Sequence, residues 1–380
     1  MTHASDDYKR HQWLKWVGVA LSTYFILVAV NTIGNGFKEI SGGSDGAQQI
    51  FEFASHPVAA LLLGVIATSL VQSSSTVTSV IVGLVAGGLP LSMAVPMIMG
   101  ANIGTTVTNT IVSLGHLKQG QEFRRAFAAS TIHDFFNWLA VLLLLPLELA
   151  FGFLEKSASA IVSLFIGSEN LSMSGLNFMK PLLSPADRMI EFSVSGLSGT
   201  SAALAMIIMG MGMILCAVTF LSRLLRAVMV GRAKLLLQKA LGRGPLSGVA
   251  SGAAVTVLVQ SSSTTTSLIV PLVGSGTLSL REVYPFTLGA NIGTTITAIL
   301  AATAITGPVA HAAMTIAVIH LLFNISSTLL IYGIPMLRNI PLWCAEKLSE
   351  LAASPRQWVA AGYLASAFFA IPGGILAVSN

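Results

Sequence analysis

The sequence predicts an all-α integral membrane protein, with about seven full spans and two re-entrant helical hairpins that enter the bilayer and turn back. Three observations predict it. Of 380 residues, 54% are hydrophobic and only 9% charged, against roughly a quarter charged in a soluble domain. Apolar stretches recur at the roughly 20-residue length of a spanning helix. Two further apolar regions are interrupted midway by the same polar string. A mean hydropathy of +0.80 excludes an ordinary cytosolic enzyme, a nucleic-acid binder and a disordered chain. The formal net charge of +5 comes from basic residues in short connecting segments, where they set topology.

Full spans are expected near 14–33, 91–114, 125–148, 197–221, 283–305, 310–335 and 357–378. Regions 57–89 and 246–277 are too broken for one helix and too short for two spans with a loop, so each reads as a re-entrant hairpin. Segment 222–243 is basic with a leucine-rich face (Leu224, Leu225, Leu235, Leu236) and reads as an interfacial helix. Five units follow. Residues 1–56 are a cytoplasmic tail, first span and outer loop; 57–150 a first repeat; 151–245 a linker, span and basic helix; 246–336 a second repeat; 337–380 a loop and terminal span. With alternating spans, 16 of the 20 Lys and Arg fall on one side, and only Lys38, Lys156, Lys180 and Arg188 on the other. That bias puts the N-terminus in the cytoplasm and the C-terminus outside. No signal-peptide cleavage pattern follows the first apolar stretch. Cys216 and Cys344 read as buried small hydrophobes, not a disulfide.

Leu70-Val71-Gln72-Ser73-Ser74-Ser75-Thr76 recurs unchanged as Leu258-Val259-Gln260-Ser261-Ser262-Ser263-Thr264, and Gly100-Ala101-Asn102-Ile103-Gly104-Thr105-Thr106 recurs as residues 289–295. His133, Phe136 and Asn137 match His320, Phe323 and Asn324. Two seven-residue identities in register mark a duplicated unit. In the expected topology the first hairpin enters from outside and the second from the cytoplasm, so the copies are inverted. Inverted repeats with discontinuous helices are the architecture of secondary transporters, with the substrate near the midplane.

Ser and Thr favour helix N-caps, so each hairpin is expected to end one helix near Gln72 or Gln260, turn through serines, and restart near Thr76 or Thr264. Unsatisfied backbone is costly in lipid, so such breaks line a cavity or contact a ligand. A helix N-terminus suits an anion, and six serine hydroxyls could converge on it. Freed carbonyls with Gln, Ser and Thr oxygens suit Na⁺. Asn102, Thr105 and Thr108, and Asn291, Thr294 and Thr297, add oxygens along one helix face. No Lys or Arg is expected deep within a span, so a bound anion would need co-bound cations. The bland alternative is small-residue helix packing, and the glycines of both strings suit that role. Asp134 is the one acidic residue well inside a span, a candidate by default for a cation; its repeat partner is Leu321, and pairing with His133 is the alternative. His133 and His320 read as structural, hydrogen-bonded histidines. The glycine-rich stretch 207–212 suits a homodimer contact or packing within one chain.

With these residues in place, the chain resembles the type II sodium-dependent phosphate cotransporters. The likeness rests on both Gln-Ser-Ser-Ser-Thr hairpins, both Asn-Ile-Gly-Thr-Thr helices, and Phe123-Arg124-Arg125-Ala126-Phe127-Ala128 leading into His133-Asp134 and Phe136-Asn137-Trp138, across residues 57–335. It implies a symporter importing inorganic phosphate, mainly the divalent form, with Na⁺ as co-transported ion. On that likeness Ser73, Ser74, Ser75, Ser261 and Ser262, with Asn102 and Asn291, hold phosphate. Na⁺ falls to Gln260, Ser261, Ser263, Thr294 and Thr297, with first-repeat Gln72, Thr105 and Thr108 contributing. Asp134 resembles the carboxylate of electrogenic members and implies an extra Na⁺; Ser130 stands where electrogenic vertebrate members resemble Ala. The linker over 149–195 is short and cysteine-free, where vertebrate members have a large disulfide-bonded, glycosylated loop, and Asn170-Leu171-Ser172 is a sequon in form only. The compact form implies a multi-pass protein of a bacterial inner membrane.

Three rivals differ in testable ways. Gly196-Leu197-Ser198-Gly199 matches an intramembrane serine hydrolase pattern, weakly. A passive anion channel would conduct without Na⁺. A carrier for sulfate or a carboxylate keeps the architecture and changes the cargo.

Overall fold

The computed structural model describes residues 2–41, 56–166, 179–197, 199–240, 244–353 and 356–378, and among them every regular element is helical. Among the described residues, seven helices are long and apolar enough to cross a bilayer: Trp13–Ser41, Leu91–Leu114, Gln121–Phe151, Thr200–Val228, Leu280–Ala302, Ala310–Tyr332 and Trp358–Val378. They fall on the seven expected spans. The chain is a multi-pass membrane protein.

The N-terminal helix α1 (Thr2–Ser41) leads to a broken pair, α2 (Pro57–Val71) and α3 (Ser74–Ala86). Helices α4 (Leu91–Gly104) and α5 (Val107–Leu114) form one interrupted span, and α6 (Gln121–Phe151) the next. Helices α7 (Phe153–Ile166) and α8 (Met179–Val194) precede the long α9 (Thr200–Ala240). The second broken pair is α10 (Pro245–Val259) with the short α11 (Ser262–Ser267) and α12 (Val270–Gly274). Then come α13 (Leu280–Ala302), α14 (Ala310–Ser327), α15 (Pro335–Leu351), α16 (Trp358–Ala365) and α17 (Ile371–Val378).

Close backbone approach locks each hairpin to the span that follows it. In the first copy Gly64 abuts the Met97 carbonyl and Gly100 the Leu61 carbonyl, so α2 and α4 touch without room for a Cβ. In the second, Gly252 abuts the Phe286 carbonyl and Gly289 the Val249 carbonyl, joining α10 to α13 the same way. The repeated glycines therefore have the packing role that small residues serve in membranes.

Neighbour contacts order the ends of the bundle. Gly18, early in α1, packs on Leu224, late in α9, while Gly36 packs on Ala203, early in α9. These two helices are antiparallel. The far end of the first hairpin, Gly87, rests on Gly34 and Phe37 near the C-terminal end of α1. The far end of the second, Gly274, accepts a hydrogen bond from Arg125 Nε at 2.8 Å, at the start of α6.

Several expectations are corrected. The basic segment after residue 221 is not a separate interfacial helix; α9 runs unbroken to Ala240, because no Pro interrupts these turns and the single Gly231 among strong helix formers does not break a helix. Residues 335–351, read as loop, form α15, which starts with Pro335 at a first-turn position where the lost N–H costs nothing. Helices α7 and α8 occupy much of the presumed linker; buried Glu148 accepts from the Leu154 and Glu155 N–H groups at 2.6 and 3.2 Å and so caps α7. Cys216 is exposed, not buried, and Cys344 half-buried. Asn170 to Ser172, Ser198 and Arg243 lie outside the described residues.

Candidate functional site

Both serine strings fold alike. Helix α2 ends with Gln72 in the left-handed region (φ 55°, ψ 28°), and α10 ends with Gln260 there too (φ 55°, ψ 32°). They are the two described non-glycine residues with positive φ, a conformation that costs on the order of 1–3 kcal/mol and gathers at functional sites. The chain then extends through Ser73 (φ −148°) and Ser261 (φ −158°), which cap the next helices. Ser73 Oγ accepts from Thr76 N at 3.3 Å and Ser261 Oγ from Thr264 N at 3.2 Å. The helices restart at Ser74 and Ser262, two residues earlier than expected, because the first serine of each string serves as the cap.

The two turns meet. A cavity of about 610 Å³ is lined by Gln72, Ser73, Ser74 and Ser75 from one copy and by Gln260, Ser261, Ser262 and Ser263 from the other. Thr108 also reaches it. Helix α9 supplies a further part of the lining with Thr219, Ser222, Arg223 and Arg226. The described lining residues include no carboxylate. Neutral oxygens and two guanidinium groups thus surround the space, a lining that admits an anion and can complete its coordination with cations. The arginines were missed in sequence because they end an apolar stretch and were assigned to the membrane surface. Their i, i+3 spacing in register with Thr219 and Ser222 was the available signal.

The remaining candidates lie outside this lining. Thr297 Oγ1 donates to Gln260 Oε1 at 2.7 Å, just behind the second turn. Ser263 Oγ donates to the Thr105 carbonyl at 3.4 Å, tying the second serine string to the first repeat. The hydroxyls of Thr105 and Thr294 donate back to Ala101 and Ala290 carbonyls at 2.8 and 3.2 Å. Asn102 donates to the Ile98 carbonyl at 3.0 Å. Asn291 donates to Asn137 Oδ1 at 2.8 Å, and its own oxygen takes the His133 Nε2–H at 2.6 Å. Asn137 in turn donates to the Asn102 carbonyl at 2.7 Å. This buried chain crosses between the repeats through the Asn291 side chain and the Asn102 backbone carbonyl. A second crossing runs from Asn109 Nδ2 to Thr266 Oγ1 at 2.7 Å.

Asp134 is fully buried, apart from the cavity. Its Oδ2 accepts from Tyr363 Oη at 3.0 Å and Thr110 Oγ1 at 3.3 Å, while Oδ1 has no hydrogen-bond partner among the described residues. It does not pair with His133. Tyr363, on the last span, was not read as a site residue. Ser130 donates to the Phe127 carbonyl at 2.8 Å.

The profile of the Na⁺/Pi-cotransporter family matches residues 25–180 and 213–337. The sodium-dependent phosphate transport protein 2A of Rattus norvegicus is 34% identical over 94% of this chain. The rabbit (Oryctolagus cuniculus) 2A protein is 35% identical over the same share, and the Homo sapiens 2B protein 32%. The chain spans 66% of the rat and rabbit relatives' lengths and 64% of the human one's. No solved structure matches significantly.

Proposed function

The chain belongs to the Na⁺/Pi-cotransporter family, and we propose that it is a secondary active symporter, not an enzyme, which imports inorganic phosphate with Na⁺. The observation that carries this reading is the convergence of two left-handed Gln-Ser turns, one from each repeat, on a single cavity of neutral oxygens and guanidinium groups. In this reading Ser73, Ser74, Ser75, Ser261 and Ser262 hold divalent phosphate. Gln260, Ser261, Ser263, Thr294 and Thr297 hold Na⁺, with Gln72, Thr105 and Thr108 contributing; the Thr297–Gln260 contact supports that grouping. Asn102 and Asn291 contribute to phosphate in this reading, and the Asn291 side chain and Asn102 carbonyl also link the repeats.

Na⁺ binds first and orders the broken helices. Phosphate follows, and the loaded carrier rearranges so that the opposite hairpin controls exit; moving when loaded or empty, but not with Na⁺ alone, gives coupling. The repeats are inverted about the bilayer plane. The N-terminus is cytoplasmic, in a bacterial inner membrane. Asp134 Oδ1, buried and bare beside Thr110, supports an additional Na⁺ and net charge movement. For a homodimer, Gly212 offers an open face in an apolar groove between α1 and α9, whereas Gly210 packs within the chain against Ile33.

The test is uptake of radiolabelled phosphate into proteoliposomes under inward Na⁺ or K⁺ gradients, with membrane potential varied. Uptake that requires Na⁺, is blocked by arsenate but not sulfate, and grows with an inside-negative potential is expected. Blockade by sulfate would shift the cargo, and uptake without Na⁺ would sink the symport reading. Asp134→Gly is expected to keep Na⁺-dependent uptake while abolishing its potential dependence; an unchanged potential dependence removes the extra-cation assignment.

A further inference from the structure

Thr219, Ser222, Arg223 and Arg226 fall at i, i+3, i+4 and i+7 on α9, one continuous stripe of a helix. The stripe forms a wall of the serine cavity. Two bonds fix it there. Ser222 Oγ donates to the carbonyl of Gln260, at the left-handed break, at 3.2 Å. Arg226 Nη2 donates to Thr264 Oγ1 at 2.8 Å, and Thr264 is the residue whose N–H the Ser261 cap receives. Both arginines are exposed, and neither forms an ion pair with a described carboxylate. A guanidinium carries five N–H donors in a planar fork that matches a phosphate edge. The bond to Thr264 uses one of them.

A charged side chain that only sets topology would point into bulk water or headgroups. Here two such groups line a space whose other polar groups are all hydroxyls and amides, with Val71, Val218 and Leu268 completing the wall. We infer that Arg223 and Arg226 form a second anion station, a cationic hook that takes the phosphate dianion from the serine turns at the α9 side of the cavity. This deepens the symport reading and rests on it. The physical need is charge. A dianion held by neutral oxygens loses compensation when Na⁺ departs, and a fixed guanidinium pair keeps it solvated by donors until it reaches water. Arg226 exchanges its Thr264 contact for phosphate oxygens, so it also senses whether the second serine turn is occupied.

The experiment uses the purified full-length protein and [³²P]phosphate in equilibrium dialysis at saturating Na⁺. Stabilisation by Na⁺ alone, read as a shift in Tm, reports a folded cation site. Arg226→Gln and Arg223→Gln are each expected to weaken phosphate binding about tenfold, as for losing a charge-assisted contact, with the Na⁺-induced Tm shift retained. Arg226→Lys is expected to recover part of the loss. The same ranking in micelles free of anionic lipid assigns the pair to the free anion and not to a lipid headgroup. Wild-type phosphate affinity in both Gln variants overturns the inference, as does an equal loss of the Na⁺ response, which would mark a structural role, or loss of the ranking without anionic lipid. If the wild-type protein itself binds no phosphate with Na⁺, the symport reading falls first and the inference with it.

Discussion

In the second repeat Gln260 offers its side-chain oxygen to Thr297 at 2.7 Å. In the first, Gln72 is exposed, and the hydroxyl of Thr108, the counterpart of Thr297, is buried with no partner among the described residues. The same contrast appears deeper in the bundle. His133 is bonded to Asn291 at 2.6 Å, whereas neither ring nitrogen of buried His320 has a partner among the described residues. The helices differ too. The first copy interrupts its span at Thr105–Thr106 and keeps α3 whole; the second keeps α13 whole and interrupts the hairpin before Val270. Pro271 contributes to that break, since it has no N–H for the Ser267 carbonyl. Identical strings with nearly identical dihedrals thus support two different bonding states. Pseudo-symmetry is a property of the chain, and asymmetry a property of the conformation. On the proposed symport reading, alternating access requires that combination, since a carrier open to both sides at once would leak.

Substitutions made in pairs, one per repeat, sharpen or break the comparison. The largest effect is expected where the copies are alike. Gly100→Leu and Gly289→Leu each force a side chain against a backbone carbonyl, and overpacking of this kind costs at least about 1–3 kcal/mol. Neither variant should yield monodisperse protein on size-exclusion chromatography; a folded, transporting Gly289→Leu would disprove the close contact. Next, Ser73→Trp and Ser261→Trp should both reduce phosphate uptake to the Na⁺-free background with expression retained, as measured in proteoliposomes. Activity surviving in one alone would assign the anion to a single repeat. Smaller and asymmetric effects follow. Gln260→Ala should raise the Na⁺ concentration for half-maximal uptake roughly tenfold, about 1.4 kcal/mol, and Gln72→Ala by roughly threefold or less. Equal shifts would erase the distinction between bonded and exposed glutamine. In stability, and with no expected loss of uptake, His133→Phe strands the Asn291 oxygen and should cost on the order of 1 kcal/mol, while His320→Phe should leave thermal stability unchanged or raised. A Tm drop for both would mean that His320 has a partner after all.

Much of this was readable in the residues. Hydropathy alone located the seven long helices, because each must match the bilayer unaided. The hairpin breaks were legible because Gln-Ser-Ser-Ser cannot continue an apolar helix and appears twice. What escaped were features decided between distant segments. Arg223 and Arg226 look like flanking charges until α9 is seen against the second turn. Tyr363 acquires meaning only from Asp134, 3.0 Å away across the bundle. Helix α15 carries charges and prolines that hide its period. The duplication, which marks the candidate site, also conceals that the two copies stand in different bonding states, since equal sequences give no sign of unequal partners.

The glycine seams between α2 and α4, and between α10 and α13, also bear on how the chain is made. Helix α2 has 15 residues, roughly 22 Å at 1.5 Å per residue, short of the roughly 30 Å hydrocarbon layer. Alone in lipid it would present the open backbone of Gln72 and Ser73 to hydrocarbon. Its seat is built by Met97 and Gly100, which are synthesised afterwards. Biogenesis therefore has a fixed order. A nascent chain stopped before Leu91 or Leu280 holds a hairpin whose glycine seat has not yet been made.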